Sequence, residues 1–356
     1  VIMKSKNVLE RAKEHFGCNE MEGLELEHYG GLGTAFSHWS KRYLNGDYMV
    51  GDTNGEYGVS KMTLGFFEDS GWYKVNYENA EEISWGNKKG CSFLTDNCIN
   101  GSIETSEKKN YNLRLAKTNT KNKYYSKEKL SIASNFDEFC EFKTDYKCSS
   151  SRKFRGACAL STHDDIPEQF QYFKSNNSVG GYSELGDFCP YPIILLNPEN
   201  LNLIGSCQTG SILNENSGES ICEDCRCYES SLIDVNKVNE YIEKYDMVKD
   251  KSKLIKQYMS HANLYDNAIC YESRCWKKDE KIILSLIIGD TEVNCPENGG
   301  LTTVPGYLGY VNCPLASQFC DNFKHDSNRW NSAYLTKNLS SKINNILEDF
   351  MRYLNL

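Results

Sequence analysis

Sixteen cysteines constrain this 356-residue chain more than any other feature. They are even in number and run from Cys18 to Cys320. In a reducing compartment so many thiols are a liability, whereas in an oxidising one they become cross-links. The expectation is a secreted or cell-surface protein that travels the secretory pathway. Asn-x-Ser sequons at Asn100, Asn176 and Asn338 add glycosylation to that expectation. The opening residues Val1-Ile2-Met3-Lys4-Ser5-Lys6 hold no apolar leader. Either a leader was removed or this is a piece of a longer precursor.

Composition excludes several classes of function. Lys and Arg number 40 against 49 Asp and Glu, a net charge of −9. No basic clustering marks a nucleic-acid partner. Aromatic residues at 12% are too much apolar surface for a disordered chain to leave in water. The longest apolar run, Ile282 to Ile288, is far short of the roughly 20 residues that span a bilayer. No transmembrane segment is expected.

Periodicity places several elements. Val8, Leu9, Ala12 and Phe16 predict a helix over 4–16, stopped by Gly17. Val59, Met62, Thr63, Phe66 and Phe67 predict a second helix, closed by Gly71. Residues 100–135 read as a polar surface excursion, though Tyr111, Leu113 and Leu115 alternate as in a strand. Residues 190–196 and 281–288 read as strands, and 234–258 as a weak helix. Ile343, Ile346, Leu347, Phe350, Met351 and Leu354 form one apolar stripe on a helix of 341–354, read as docked on protein rather than membrane. No internal repeat is present.

Catalytic motifs are sparse. The histidines are His15, His28, His38, His163, His261 and His325, and no two stand at i, i+4. There is no H-E-x-x-H, no G-x-S-x-G and no G-x-x-x-x-G-K. A lone histidine is usually a hydrogen-bonded structural one. The surroundings of His38 change that reading. Gly30-Gly31-Leu32-Gly33 precedes it, Ser37 adjoins it, and Asp47-Tyr48-Met49 follows.

The run from Glu14-His15-Phe16-Gly17-Cys18 through these residues, Phe67-Glu68-Asp69, Gly71-Trp72-Tyr73, Trp85-Gly86 and Gly90-Cys91 to Asp96-Asn97-Cys98 resembles leishmanolysin, a family of surface zinc metallopeptidases. Gly156-Ala157-Cys158, Asp187-Phe188-Cys189-Pro190, Gly205-Ser206-Cys207 and Val311-Asn312-Cys313-Pro314 continue it in order, to about residue 325. The resemblance implies an α+β fold. Residues 1–100 would be the lower half of a metzincin-like catalytic domain, mainly helical after the Met-turn. Residues 101–356 would be a disulfide-rich α+β domain ending in an amphipathic helix.

Metzincins bind zinc through two histidines of a helical H-E-x-x-H and a third, more distant one. The resemblance assigns that third ligand to His38 and the Met-turn residue to Met49. Gly30, Gly31 and Gly33 would shape the approach to the ligand and border the substrate cleft. A single histidine cannot hold catalytic zinc. The chain therefore reads as the C-terminal portion of a zinc metalloendopeptidase, not competent alone. Zinc would bind only if an N-terminal fragment of the same precursor brought H-E-x-x-H, and polypeptides would be the substrates. The alternative is a non-catalytic adhesion or structural surface protein on the same scaffold, with surface proteins as partners.

The resemblance also implies disulfides Cys18–Cys91, Cys98–Cys189, Cys140–Cys158, Cys207–Cys270, Cys275–Cys320 and Cys295–Cys313. It points Cys148 toward Cys227. Cys222 and Cys225, which the family lacks, are left for each other or for a partner. A rival reading makes Cys222, Cys225, Cys227 and one of Cys270 or Cys275 a structural zinc site.

Overall fold

Val8, Ala12 and Phe16 lie on one face of α1 (Lys6–Phe16) and are buried. Gly17 then turns the chain at φ 70°, and its N–H donates to the Lys13 carbonyl at 2.9 Å. A left-handed residue at this place satisfies carbonyls that the last helical turn leaves open. The described part of this computed structural model covers residues 1–52, 57–99, 138–140, 146–173, 176–194, 204–210, 213–244, 268–278 and 281–320. The expected strand at Tyr111–Leu115 and the expected helix of 341–354 lie outside it.

Two short helices and a small ladder frame α1. Strands β1 (Ile2–Met3) and β2 (Leu24–Glu25) pair antiparallel. Helix α2 is Lys41–Leu44 and α3 is Lys61–Asp69. The Ser60 hydroxyl accepts from the Thr63 N–H and so caps α3. At Gly65 a Cβ would come within 3.1 Å of the Asn7 and Val8 backbone, so α1 and α3 touch where a side chain is missing. The Asp69 carboxylate closes the pair by accepting from the N–H groups of Asn7 and Val8, at 2.9–3.1 Å.

Helix α4 (Ser92–Thr95) supplies Phe93 to the first core. There Trp85, Phe93, Phe139 and Tyr191 pack together in edge-to-face, tilted and stacked pairs, with ring centroids 5.2–6.4 Å apart. The buried Arg42 guanidinium lies over Phe93 and Phe139, at 4.8 and 4.9 Å, and donates to the carbonyls of Phe93 and Asp96. The positive charge is thus held by ring faces and carbonyls. This core also takes in Ile166, Tyr172, Val179 and Phe188.

The remaining strands are short and antiparallel. β3 (Tyr146–Cys148), β4 (Arg155–Cys158) and β7 (Pro192–Ile194) make one sheet, and β5 (Leu160–Thr162) pairs with β6 (Val179–Gly181). The largest sheet has the order β12 (Thr291–Asn294), β11 (Lys281–Ile288), β10 (Ala268–Lys278), β8 (Cys225–Glu229). The strand expected over 281–288 is therefore present. β9 (Ile233–Asp234) pairs with β14 (Tyr307–Leu308), and β13 (Gly300–Thr302) with β15 (Val311–Cys313). Helix α5 (Val235–Lys244) occupies the start of the expected 234–258 helix, and the rest of that range lies outside the described residues. A second core of Tyr228, Tyr271, Leu284, Leu286 and Ile288 backs the large sheet.

Eight disulfides cross these elements: Cys18–Cys91, Cys98–Cys189, Cys140–Cys158, Cys148–Cys227, Cys207–Cys270, Cys222–Cys225, Cys275–Cys320 and Cys295–Cys313. No cysteine is free. Cysteine ligands for zinc must be thiolates, so the rival zinc site at Cys222, Cys225 and Cys227 is ruled out in this oxidised form. The whole is a mixed helix-and-sheet, disulfide-rich α+β fold. Among the described residues no helix is long and apolar enough to cross a membrane.

Candidate metal centre

His38 sits in an irregular three-stranded patch rather than on a helix. On one side the chain of 25–27 pairs with it: Glu27 N–H donates to the His38 carbonyl at 2.9 Å, and Phe36 N–H donates to the Glu27 carbonyl at 2.8 Å. On the other side Trp39 N–H donates to the Met49 carbonyl at 3.0 Å. The histidine is therefore clamped between residues 25–27 and the turn that carries Met49. Met49 itself is half-buried against the first core.

Two buried carboxylates hold this patch. Asp47 accepts from Met49 N–H at 2.7 Å, from Ser60 N–H at 3.1 Å and from the Thr63 hydroxyl at 2.8 Å. Thr63 in turn accepts from the Trp39 indole N–H at 2.8 Å. One chain of bonds thus joins the residue after His38, the Met49 turn and helix α3. Burial pushes the Asp47 carboxyl above its ordinary range, and its bonds from Ser60, Met49 and Thr63 pull the other way. Glu27 accepts from the N–H groups of His28, Tyr29, Lys41 and Gly186, at 3.0–3.2 Å. It ties the patch to the Gly186 segment, which Cys98–Cys189 staples.

The His38 ring is oriented from behind. Nδ1 lies 3.2 Å from the Thr34 carbonyl and 3.1 Å from Ser37 Oγ. A carbonyl oxygen only accepts, so Nδ1 carries a proton, and in the neutral ring the lone pair is on Nε2. Nε2 has no partner among the described residues. The other described histidines have theirs engaged: His15 with the Trp85 carbonyl, His28 with Glu25, and His163 with the Gly181 carbonyl. A backbone carbonyl on the far nitrogen is the usual support of a metal-ligating imidazole.

The glycines before His38 differ from one another. Gly30 turns at φ 84°, and a Cβ there would meet Thr34 Cβ at 2.8 Å. Gly31 turns at φ 71°, whereas Gly33 does not turn left-handed, and neither has an atom within 4 Å of a built Cβ. Gly51, which sequence reasoning passed over, presses closer than any of them. A Cβ there would lie 2.1 Å from Thr34 Cγ2, on the residue whose carbonyl orients His38. Its signal in the sequence was only its place two residues after Met49.

The chemistry is that of one ligand. His38 fits zinc, with its tautomer set and Nε2 open, but catalytic zinc takes about three protein ligands. Cys18, Glu20 and Cys91 also cluster, yet both sulfurs belong to one disulfide and offer no thiolate. Of the expected sequon sites, Asn176 is exposed at a turn where its Oδ1 accepts from Ser178 N–H at 3.1 Å. Asn100 and Asn338 lie outside the described residues.

These features stand in a sequence to which the leishmanolysin family model matches over residues 1–327. A leishmanolysin homolog of Crithidia fasciculata is 34% identical over 207 residues, covering 58% of this chain and 26% of that protein. A leishmanolysin-like peptidase of Drosophila pseudoobscura pseudoobscura is 33% identical over 199 residues, 53% of this chain and 26% of the relative. Leishmanolysin of Leishmania major is 28% identical over 190 residues, again 53% and 26%. The matched stretch is thus about a quarter of each relative's length. The chain belongs to the leishmanolysin family, whose members are zinc metallopeptidases.

Proposed function

We propose that this chain is the C-terminal portion of a leishmanolysin-type zinc metalloendopeptidase. One observation carries the reading beyond family membership. His38 presents an unpartnered Nε2 while Thr34 holds its Nδ1 proton, above a turn that the buried Asp47 ties down. His38 is the third zinc ligand in this reading, and Met49 supports it from below. The other two histidines and the general-base glutamate of H-E-x-x-H come from an N-terminal piece of the same protein. Leu32, Phe36 and Tyr48, on the segments that carry His38 and Met49, are exposed and suit a covering segment. Gly30, Gly31 and Gly33 border the substrate cleft, and the substrates are polypeptides. When bound, zinc supplies a water ionised near neutral pH. The metzincin-like part is 1–100 and the disulfide-rich part 101–356. The protein works outside the cell or on its surface, with sugar on Asn100, Asn176 and Asn338.

The test is intact mass and zinc content of the protein as purified, parent against His38→Ala. The expected result is a species or companion chain bearing H-E-x-x-H with about one zinc, and in the variant a loss of zinc and peptidase activity of roughly a hundredfold or more. Unchanged zinc content in the variant would reject the ligand role. A zinc-free protein without H-E-x-x-H in any associated chain would make the fold a non-catalytic surface module.

A further inference from the structure

Seven of the eight disulfides join cysteines 18 to 91 residues apart, whereas Cys222–Cys225 spans three positions of chain. It closes one turn, in which Cys225 N–H donates to the Cys222 carbonyl at 3.0 Å. That turn is held without its sulfurs. Cys222 N–H donates to the Cys207 carbonyl at 3.1 Å, Ser273 N–H to the Asp224 carbonyl at 3.0 Å, and the Gln208 amide to the Glu223 carbonyl at 2.8 Å. Cys222 is half-buried next to the exposed Glu223, while Cys225 has no exposure at all. Cys222 is therefore the cysteine of the pair that solvent reaches, and Cys225 is the one whose sulfur would leave.

The position adds a second observation. Cys225 and Cys227 are two apart on β8, so they share a face of the strand. Cys227 stands directly across from Cys270 of β10. Cys148–Cys227 and Cys207–Cys270 thus lie against Cys222–Cys225 in one sulfur-lined cluster. The Arg226 guanidinium donates to the carbonyls of Cys225 and Glu223 at 3.0 and 3.1 Å and adds to the bonds that hold the turn. Arg226 falls between the two cysteines on the strand and so lies on its other face, where these bonds fix the turn's backbone.

We propose that Cys222–Cys225 is a thiol–disulfide exchange site, taking a small thiol such as glutathione or the dithiol of an oxidoreductase. The incoming thiolate bonds to Cys222 Sγ, the Cys222–Cys225 bond breaks, and its electron pair leaves on Cys225 Sγ, which takes a proton from water. A second thiolate attacks the mixed disulfide at the incoming sulfur and releases Cys222 as a thiol. Two electrons pass, so one disulfide of the reagent forms for the one that opens. Four of the remaining pairs have both cysteines buried. Even the partly exposed Cys91, Cys158 and Cys275 close separations of 73, 18 and 45 residues. Parting them frees segments distant along the chain, whereas parting Cys222 from Cys225 loosens one turn.

The experiment treats the purified protein with graded reduced glutathione, quenches with N-ethylmaleimide and maps the peptides. Cys222 and Cys225 should take up label on the order of tenfold faster than any other pair. The glutathione adduct should sit on Cys222. Opening of another pair first, simultaneous opening, or an adduct on Cys225 would overturn the proposal. A Cys222→Ser, Cys225→Ser double variant should keep the other seven disulfides and lose the fast phase. A fast phase of undiminished amplitude in that variant would overturn it as well.

Discussion

Asp187 stands in left-handed backbone at φ 65°, close to the carboxylates of Glu25 and Glu27. Burial first, and those two charges next, push its carboxyl up to about 7, against the opposing pull of Arg42. The sign of the pH effect follows. Below the ordinary value of 3.8 the folded and unfolded chains both hold the proton. Between that value and about 7 the unfolded chain releases it and the folded chain keeps it, so stability falls as pH rises. Above that window the loss is complete. Asp187→Asn removes the charge, keeps the shape, and suits a left-handed residue. The variant should match the parent near pH 4 and be more stable at pH 8, by about 1–2 kcal/mol after allowance for partial exposure. Urea melts at the two pH values check this. Parallel pH profiles in parent and variant would show that Asp187 is not the titrating group.

At the scale of elements, α1 and α3 depend on each other through Gly65 and Asp69. Burial alone would raise the Asp69 carboxyl, but hydrogen bonds from the Asn7 and Val8 N–H groups and the Asn7 amide outweigh it and hold the group below its usual range. A depressed carboxyl contributes stability above its unfolded value of 3.8 and loses it as pH falls through the lower folded value. Asp69→Ala should cost about 0.5–2 kcal/mol at pH 7, the range of a lost helix cap. The gap between parent and variant should close in strong acid, and a gap that stays constant down to pH 2 would refute the cap. Helices α1 and α3 were legible because their apolar spacing repeats and because Gly17 and Gly71 close them. The His38 patch was legible only through family resemblance. Its strands are irregular, and nothing in the local sequence marks Glu27 and Asp47 as buried. Local donors meet only part of their need, and the N–H groups of Gly186, 159 residues from Glu27, and Ser60, 13 from Asp47, supply bonds that no local pattern announces. The aromatic core was hidden for the same reason, since Phe139 and Tyr191 meet Trp85 only after folding.

Across the whole molecule, the β3–β4–β7 sheet and the large sheet are joined at a buried seam. Cys148–Cys227 links β3 to β8, and Cys207–Cys270 holds the segment beside β4 to β10. Between them lies an ion pair of Arg155 on β4 with Glu219, both fully buried. Glu219 does more than neutralise Arg155. It accepts from Cys270 N–H at 2.9 Å and from Asn214 N–H at 2.6 Å, so one carboxylate serves two backbone donors and a guanidinium. Desolvating two charges offsets most of their attraction, so the pair adds little net stability over an apolar pair of the same size. Removing one partner is different, because the charge left behind stays buried. Glu219→Ala should therefore cost about 3–5 kcal/mol, whereas Arg155→Met with Glu219→Leu should recover a large part of that loss. The recovery should stop short of the parent because the Cys270 and Asn214 donors lose their acceptor, at about 1–3 kcal/mol for a buried group left unmade. Guanidinium melts of the oxidised parent, single and double variants measure both steps. A single variant within 1 kcal/mol of the parent would mean that water reaches Arg155 and that the seam is held by its disulfides alone. A double variant no better than the single one would place the cost in the backbone donors instead of the stranded charge.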